Sequence, residues 1–497
     1  MTDDAPDSAE LPTTPATRPP VRQYLALIVI GAATSQALGM TLKMPTQLEA
    51  NDISRWCTVW SLLEEHTYAI DDCPWQSKTQ DKVFKPAPFQ KLAPGQTPVK
   101  HYYSSKPPLL PTMIAGVLYP FRTYLGVPLD RVYEEQRNER YVPIEDKTAP
   151  NGLRYELQRP KEPLKWPVFV FYLKPVIVLV NVVPMLVFLV LYARFLDRYA
   201  ANDWAWCFAL VAGAWGSYLI AFDQTLNNHT VAAYSAFFAL YAFLRIWDDG
   251  ATGPQAFAAA GFFAAFCACN ELPAALFGVL FFLMLFARFP RRTLLFFVPA
   301  AAIPCTAFLA TQYAAFGTVR PVYEEFGTES YNYAGSYWNT PLEMDYLNKE
   351  PEPKGVYLFH MTFGHHGIWS LSPIFLLSLY GVLRCLVSAR ARGLRPLAWL
   401  TLVLTAGMLA FYAWNPKARN YGGSTQGLRW LFWLIPFWLF MLPPALESGG
   451  WSRFARGVAA LALMLSAFSV GYALRSPWSH PWIQDMLEHL SLYNLRH

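Results

Sequence analysis

Apolar blocks of about 20 residues, the length that crosses a bilayer as a helix, recur along most of the chain. This repetition limits the fold more than any other feature, because only helices and closed barrels satisfy their backbone hydrogen bonds in lipid. The composition agrees, since 54% of the 497 residues are hydrophobic and 15% are charged. The sequence therefore predicts an all-α polytopic membrane protein.

Hydropathy predicts about eleven transmembrane helices, the first of them an uncleaved span. They are expected at 24–41, 167–193, 203–221, 231–247, 255–270, 272–288, 293–316, 367–388, 396–414, 428–446 and 455–474. The apolar segment 109–121 is shorter and has Pro near both ends, so we expect it to re-enter or to lie on the membrane surface. Residues 1–21, rich in Pro, Asp and Thr, are expected to form a disordered cytoplasmic tail.

Arg residues collect in alternate short links, which predicts that these links and the N-terminus are cytoplasmic. The links are 193–198, 245–249, 288–292, 384–395 and 451–456. Two long loops, 42–166 and 317–366, and the C-terminal tail 475–497 then lie on the exoplasmic side of a transmembrane domain that covers 22–474. Charges at membrane depth are tolerated where they line a cavity, so we expect the functional site on the exoplasmic side.

Two of the seven cysteines, Cys57 and Cys73, lie in the first exoplasmic loop, and the other five lie in or beside spans. An oxidising compartment would allow these two to form a disulfide, and two unlinked thiols are the alternative. No Cys/His spacing typical of a metal site accompanies them.

The first loop places charged residues close to the membrane. Asp52 follows the first span by about ten residues and precedes a stretch that fits a short amphipathic helix at the interface. Further on, "HYYSSKPPLLP" combines aromatic residues, Lys106 and prolines that stiffen the backbone just before 109–121. A fixed Lys at the depth of lipid head groups suits a phosphate.

These features in this order resemble the GT-C superfamily of integral-membrane glycosyltransferases, and within it the protein O-mannosyltransferases and lipid A aminoarabinose transferases. The resemblance rests on the acid after the first span, "KPPL" opening a membrane-embedded helix, the Arg-rich cytoplasmic turns, "FGHHGIWSLSPIFLLSLYG" and "YGGSTQGLRWL". It covers most of 24–440. It implies that the early acid is the catalytic base, that the donor is a sugar on a polyprenyl phosphate, and that the fold is GT-C-like.

Two features depart from that group. The group usually has two adjacent acids at the first position, whereas Asp52 follows Asn51 here, so one carboxylate carries the expected role. The stretch 127–166 is longer and more charged than the usual connection, which leaves the acceptor open: protein, glycan or lipid.

Sugar transfer from a lipid phosphate needs a carboxylate to accept the acceptor's proton and cations to stabilise the leaving phosphate. Asp52 is the candidate base, with a helix cap or a partner of Arg55 as the alternative. Lys106 is a candidate phosphate ligand, against an interfacial Lys with no such role. Arg429, just inside a span, is expected to pair with the phosphate or with a carboxylate. Arg55, one helical turn after Asp52, is expected to keep that acid ionised.

A second polar group could contact the sugar or the acceptor. It comprises Arg55 after the first span, Asp223, Asn227, Asn228 and His229 at one junction between spans, and Asn270 and Glu271 at another. An ordinary Asn-rich turn is the alternative for the first junction.

The sequence "HMTFGHH" raises the question of a metal. His365 or His366 is expected to contact the lipid phosphate, and one of the histidines with an acid such as Asp52 could hold Mg²⁺ or Mn²⁺; a structural role is the alternative. No cofactor is certain from the sequence.

The predicted function is therefore inverting sugar transfer from a polyprenyl-phosphate donor, at the exoplasmic face of a bacterial inner membrane. The expected partners are the lipid-linked sugar, an acceptor and membrane lipids, with no nucleic acid. A lipid or solute transporter or flippase stays open as an alternative, as does an assembly subunit, although we find no internal repeat of the kind that many transporters have.

Overall fold

The structure is a computed structural model of the full chain. It describes residues 20–44, 49–126, 132–135, 140–145, 153–158, 164–167, 169–325, 328–334, 336, 353–387, 392–414, 421–446 and 451–492. Nearly all of the expected disordered tail, parts of the charged stretch 127–166 and of the loop 317–366, and the last residues of the C-terminal tail lie outside these ranges.

Helices form most of the described chain. They are α1 (Pro20–Lys43), α2 (Ala50–Glu64), α3 (Leu109–Leu125), α4 (Phe169–Ile177), α5 (Val183–Tyr199), α6 (Asp203–Trp215), α7 (Leu219–Phe222), α8 (Asn228–Trp247), α9 (Pro254–Asn270), α10 (Ala275–Arg288), α11 (Pro290–Arg292), α12 (Val298–Phe316), α13 (Lys354–Thr362), α14 (Ile368–Leu371), α15 (Ile374–Val387), α16 (Arg395–Trp414), α17 (Ile435–Phe440), α18 (Leu442–Leu446), α19 (Arg453–Ala473) and α20 (Trp482–His489). Several begin at a polar cap, such as Asn202, whose side chain accepts a hydrogen bond from the Ala205 amide.

Within the described residues, 7 helices are long and apolar enough to cross a membrane. They are Pro20–Lys43, Leu173–Tyr199, Asp203–Phe222, Asn228–Trp247, Pro290–Phe316, Arg395–Trp414 and Arg453–Ala473. The chain is therefore a helical membrane protein, as predicted.

The count of about eleven spans is not confirmed. The four other predicted spans correspond to shorter helices: Pro254–Asn270, Leu272–Arg288, Ile374–Val387 and Arg429–Phe440. Breaks in the helical backbone account for the short lengths. Glu271 and Pro273 lie where Pro254–Asn270 ends and Leu272–Arg288 begins, and Ser372 and Pro373 come directly before Ile374–Val387. The predicted bounds 255–270 and 272–288 agree with the structure to within one residue, whereas hydropathy averages over the break at Ser372 and Pro373 and predicts a helix longer than Ile374–Val387.

Six short strands make the first long loop an exception to the all-α prediction. β1 (Lys82–Pro86) pairs with β2 (Lys100–Ser104), β3 (Val132–Glu135) with β6 (Leu164–Pro167), and β4 (Arg140–Glu145) with β5 (Leu153–Gln158), all antiparallel. In the β1–β2 hairpin, Lys82 lies opposite Ser104, which brings the start of β1 next to the residues that precede α3.

Helix α2 is buried, in contrast to the interfacial position expected from its amphipathic pattern. Nearly all of its side chains are buried, and Trp56 and Trp60 pack in a cluster with Leu110 and Ile114 of α3. The opposite face of α3 stays exposed and apolar, with Met113 and Val117 on it. The short helix α3 therefore covers α2, and the residues at the start of α2 lie inside the protein.

Candidate active site

Six ionisable side chains from five separate parts of the sequence lie close enough for their charges to act on one another. We call them the charged cluster: Asp52, Arg55, Asp81, Lys106, Glu271 and Arg429. Five of the six were expected at a site from the sequence. They come from the start of α2, the two ends of the β1–β2 hairpin, the end of α9 and the turn after residue 428.

Asp52 lies in the first turn of α2 and is completely buried. Its Oδ2 accepts a hydrogen bond of 3.1 Å from the Trp478 indole Nε1, and its Oδ1 has no partner among the described residues. Burial raises the pKa of Asp52 to about 8, against the opposing effects of Arg55, the indole N–H and Arg429. One oxygen of this acid is therefore fixed, and the other is unused.

Arg55 does not form an ion pair with Asp52, which was the alternative to a catalytic role for that acid. Its guanidinium donates hydrogen bonds to the Asn51 side chain and carbonyl, the latter at 3.1 Å, and to the Asn228 side chain. Burial lowers the pKa of Arg55 to about 10, opposed by Asp52 and Asp81, so it stays charged at neutral pH. Arg55 acts on Asp52 through space rather than by direct contact, and burial outweighs its effect on that acid.

Asp81 is the member of the cluster that the sequence reasoning missed. Its carboxylate lies 3.0 Å from the Lys106 ammonium, so the expected phosphate ligand already has a partner in this structure. Burial alone would raise the pKa of Asp81, but Lys106, Arg429 and Arg55 hold it below its usual value, whereas burial lowers the pKa of Lys106. The pairing of β1 with β2 creates this contact, and no local pattern in the sequence marked Asp81 for it.

Glu271, at the end of α9, is joined to the start of α8. The Asn228 side chain donates hydrogen bonds of 2.8 Å both to Glu271 Oε1 and to the Asn270 carbonyl, and the His229 ring also contacts Oε1. Burial raises the pKa of Glu271 to about 8, opposed by Arg429 and Arg55. Through Asn228, which also contacts Arg55, this group is continuous with the charged cluster.

Arg429 opens the short helix Arg429–Leu434. Its Nη2 donates to the Gly422 carbonyl at 2.7 Å, while Nε and Nη1 are buried and lack partners in the described part of the chain. Gly422 has a φ of +97°, and a side chain there would meet Arg429 at 3.1 Å, so glycine is required for this approach. The guanidinium lies 4.7 Å from the Trp478 ring centre. Two buried donors of this cation therefore remain available to a ligand.

Asp223 and Asn227 are placed differently from the other predicted residues. The Tyr234 hydroxyl donates to both oxygens of Asp223, at 2.9 and 2.8 Å. Asn227 caps α8 by accepting a hydrogen bond of 2.9 Å from the Thr230 amide. These contacts give both residues structural roles, and their proposed contact with a sugar stays a prediction.

The histidines gather around Tyr421. The rings of His365 and His366 lie 4.8 and 5.0 Å from the ring of Tyr421, and the His360 ring stacks on His365. Burial and neighbouring histidines lower the pKa of His365 to about 2 and that of His366 to about 3, so both are neutral and cannot attract a phosphate by charge. No three His, Cys, Asp or Glu side chains of the described residues are arranged to hold a metal ion, and a Mg²⁺ or Mn²⁺ ion held by one histidine and one acid stays a prediction.

The two cysteines of the first loop are buried, unlinked thiols rather than the expected disulfide. Both side chains pack in the same buried cluster with residues of α2. Burial and the neighbouring Cys73 raise the pKa of Cys57.

At neutral pH the cluster has an excess of positive charge. Arg55, Lys106 and Arg429 are cations, whereas Asp81 alone of the three acids keeps a pKa below its usual value. A narrow cleft opens beside Arg55 between Pro107, Asn228 and Asn270. The arrangement can therefore attract an anion and present to it a carboxyl group able to take up a proton near neutral pH.

Comparison with protein-family models gives no match for this chain, and no curated protein matches it closely enough to count as a relative.

Proposed function

We propose that this protein transfers a sugar from a polyprenyl-phosphate donor to an acceptor at the exoplasmic end of its helices, with Asp52 as the general base. The observation that carries the proposal is a buried carboxylate with one unused oxygen beside an arginine with two unused buried N–H donors. Unsatisfied buried polar atoms cost free energy, so their occurrence together favours a ligand that satisfies them.

The donor phosphate fits the cations of the charged cluster. Arg429 offers Nε and Nη1, and Lys106 can exchange its contact with Asp81 for a phosphate oxygen. The cations would then stabilise the charge that develops on the phosphate as it leaves.

A neighbouring cavity suits the apolar part of such a donor. It is lined by Leu428, immediately before Arg429, and by Leu371, Phe375, Ile435 and other apolar side chains. An isoprenoid chain in this cavity would bring its phosphate to the charged cluster.

The reaction then proceeds in one displacement. Oδ1 of ionised Asp52 takes the proton from the acceptor hydroxyl or amine, whose electron pair forms the new bond to the anomeric carbon. The bond between that carbon and the phosphate oxygen breaks, and its electron pair leaves with the polyprenyl phosphate. Attack opposite the leaving group inverts the anomeric centre.

The test is sugar transfer by the purified protein, supplied with a panel of radiolabelled polyprenyl-phosphate sugars and a membrane extract as the source of acceptor. Asp52→Asn is nearly isosteric and removes the base, and we expect it to lower transfer about 10²- to 10⁴-fold while donor binding is retained. Asp203→Asn makes the same change at a 60% exposed side chain at the other end of the helices and should leave transfer unchanged.

Equal transfer by Asp52→Asn and wild type would refute the assignment of the base. If no donor is bound or used, the reaction itself is refuted, and movement of labelled lipid between leaflets of a reconstituted vesicle becomes the activity to measure.

A further inference from the structure

The segment that follows the last long helix returns to the charged cluster. Gln426 holds the segment there. Its backbone N–H donates to the Pro477 carbonyl at 3.0 Å, and its side-chain Nε2 donates to the Ser479 hydroxyl and to the His480 carbonyl, both at 2.7 Å. Between these anchors, Trp478 points inward and is 4% exposed.

Trp478 contacts two members of the cluster with two different parts of its side chain. The indole N–H donates to Asp52 Oδ2, and the ring face lies under the Arg429 guanidinium. The ring of Phe222 meets it at 5.4 Å and 80°, edge to face. A residue 426 positions away in the sequence from Asp52 therefore fixes both the base and the phosphate ligand.

We propose that Trp478 is a positioning residue that orients the Asp52 carboxylate, holding Oδ2 so that Oδ1 faces the acceptor, and that carries Arg429 on its ring face. For the transfer reaction this inference rests on the function proposed above. For the geometry of Asp52 it rests on the contacts alone.

The hydrogen bond has a measurable consequence for protonation. The charged groups that act on Asp52 are Arg55 and Arg429, which favour its ionised form, and Glu49, which opposes it. Asp81 and Lys106 act on Arg55 in turn. The indole N–H adds a bond that only the ionised carboxylate receives at full strength, so its loss should make Asp52 harder to ionise.

Trp478→Phe removes the N–H and keeps an aromatic face, and Trp478→His restores a ring N–H. Trp482→Phe is the matched control, because Trp482 lies in the same segment and donates its own indole N–H to Ser469 at 2.9 Å. Trp478→Met is a second variant without the N–H, for use if the Phe variant is not monodisperse.

The first readout needs no substrate. The infrared carbonyl band of protonated carboxyl groups is recorded against pH, and the spectrum of the same chain carrying Asp52→Asn is subtracted to isolate Asp52. We expect the midpoint to rise by about one pH unit in Trp478→Phe, to stay in Trp482→Phe and to return toward wild type in Trp478→His. An unchanged midpoint in both Trp478→Phe and Trp478→Met would overturn the proposal.

The second readout is transfer. We expect Trp478→Phe to lower kcat about 10- to 100-fold, the range of a hydrogen bond to a charged group, with a smaller change in KM for the donor. A shifted infrared midpoint in a chain that uses no donor would refute the proposed function and leave the role of Trp478 standing. Full transfer by Trp478→Phe with an unshifted midpoint would refute the role of Trp478 and leave the proposed function standing.

Discussion

Charged residues lie at both ends of the helix bundle, but the two ends differ in how completely these residues are paired. At the end opposite the charged cluster lies a distal cluster of Arg198, Arg245, Asp248 and Asp249. Helix α8 separates the two, since its 20 residues span about 30 Å. In the distal cluster each charge has an opposite partner, and Arg198 and Arg245 are 44% and 56% exposed.

The charged cluster has similar residue types but leaves atoms unused. Oδ1 of Asp52 and two nitrogens of Arg429 are buried and have no partner in the described ranges. Because the charges of the distal cluster are all paired, packing alone does not explain why these atoms of Asp52 and Arg429 stay unpaired. The difference fits the proposed function, in which the unused atoms of the charged cluster bind a ligand, whereas the charges of the distal cluster bind one another.

Substitution of the arginine at each end tests this contrast most severely. Arg429→Gln removes the donors aimed at the phosphate, and we expect transfer to fall about 10²- to 10³-fold. Arg198→Gln removes a cation from the distal cluster and should leave transfer within about twofold of wild type. The measurement is the transfer rate and the donor binding of each purified variant. Equal losses of transfer in Arg429→Gln and Arg198→Gln would remove the distinction between the two clusters.

The pH dependence of transfer should reflect the charged cluster alone. Burial raises the pKa of Asp52 to about 8, and the base acts in its ionised form. Transfer should therefore be full above that pKa and should fall as the pH drops through it, about tenfold per unit below. The measurement is kcat against pH, and a flat profile between pH 6 and pH 9, on the order of one unit or more to either side of this pKa, would contradict the role of Asp52.

The ion pair of Asp81 and Lys106 allows stability to be separated from activity. Lys106→Met leaves a carboxylate without its ammonium, and we expect it to lower the free energy of unfolding by about 1–3 kcal/mol. Adding Asp81→Asn should restore much of that stability but not transfer, because the phosphate ligand is still missing. Thermal unfolding and transfer of the single and double variants form the experiment, and a double variant that recovers both would show a purely structural pair.

The smallest effect is expected at the distal cluster. Arg245 and Asp249 form an exposed pair one helical turn apart, 3.2 Å between the guanidinium and the carboxylate. Arg245→Gln should change the free energy of unfolding by only about 0.3–0.5 kcal/mol, because solvent screens the pair. A loss of several times that amount in thermal unfolding would mean that the distal cluster is buried more deeply in the membrane-embedded protein.

The membrane class and five of the six members of the charged cluster could be singled out from the sequence because both are local signals. An apolar block identifies a helix wherever it lies, and a charge at the end of such a block, such as Asp52, Glu271 or Arg429, is unusual on its own. The break at Glu271 could be predicted because a charge separates two apolar runs there, whereas the break at Ser372 could not, because hydropathy averages over it.

The parts of the site that depend on distant pairing were not predicted. Asp81 became a site residue only through the β1–β2 hairpin, which brings it to Lys106. Trp478 reached Asp52 only because the chain turns back after its last long helix. No local pattern separates either residue from the many acids and tryptophans of ordinary loops.

The position of Trp478 in the chain has a consequence for biosynthesis. During insertion, Asp52 enters the membrane region hundreds of residues before the indole that will hold it has been synthesised, and Arg429 waits likewise for its aromatic neighbour. The nascent protein therefore carries an incomplete charged cluster until residue 478 has been synthesised, and a product that ends after the helix Arg395–Trp414 lacks both Arg429 and Trp478. Synthesis of the segment around Trp478 is thus the step that completes the contacts of Asp52.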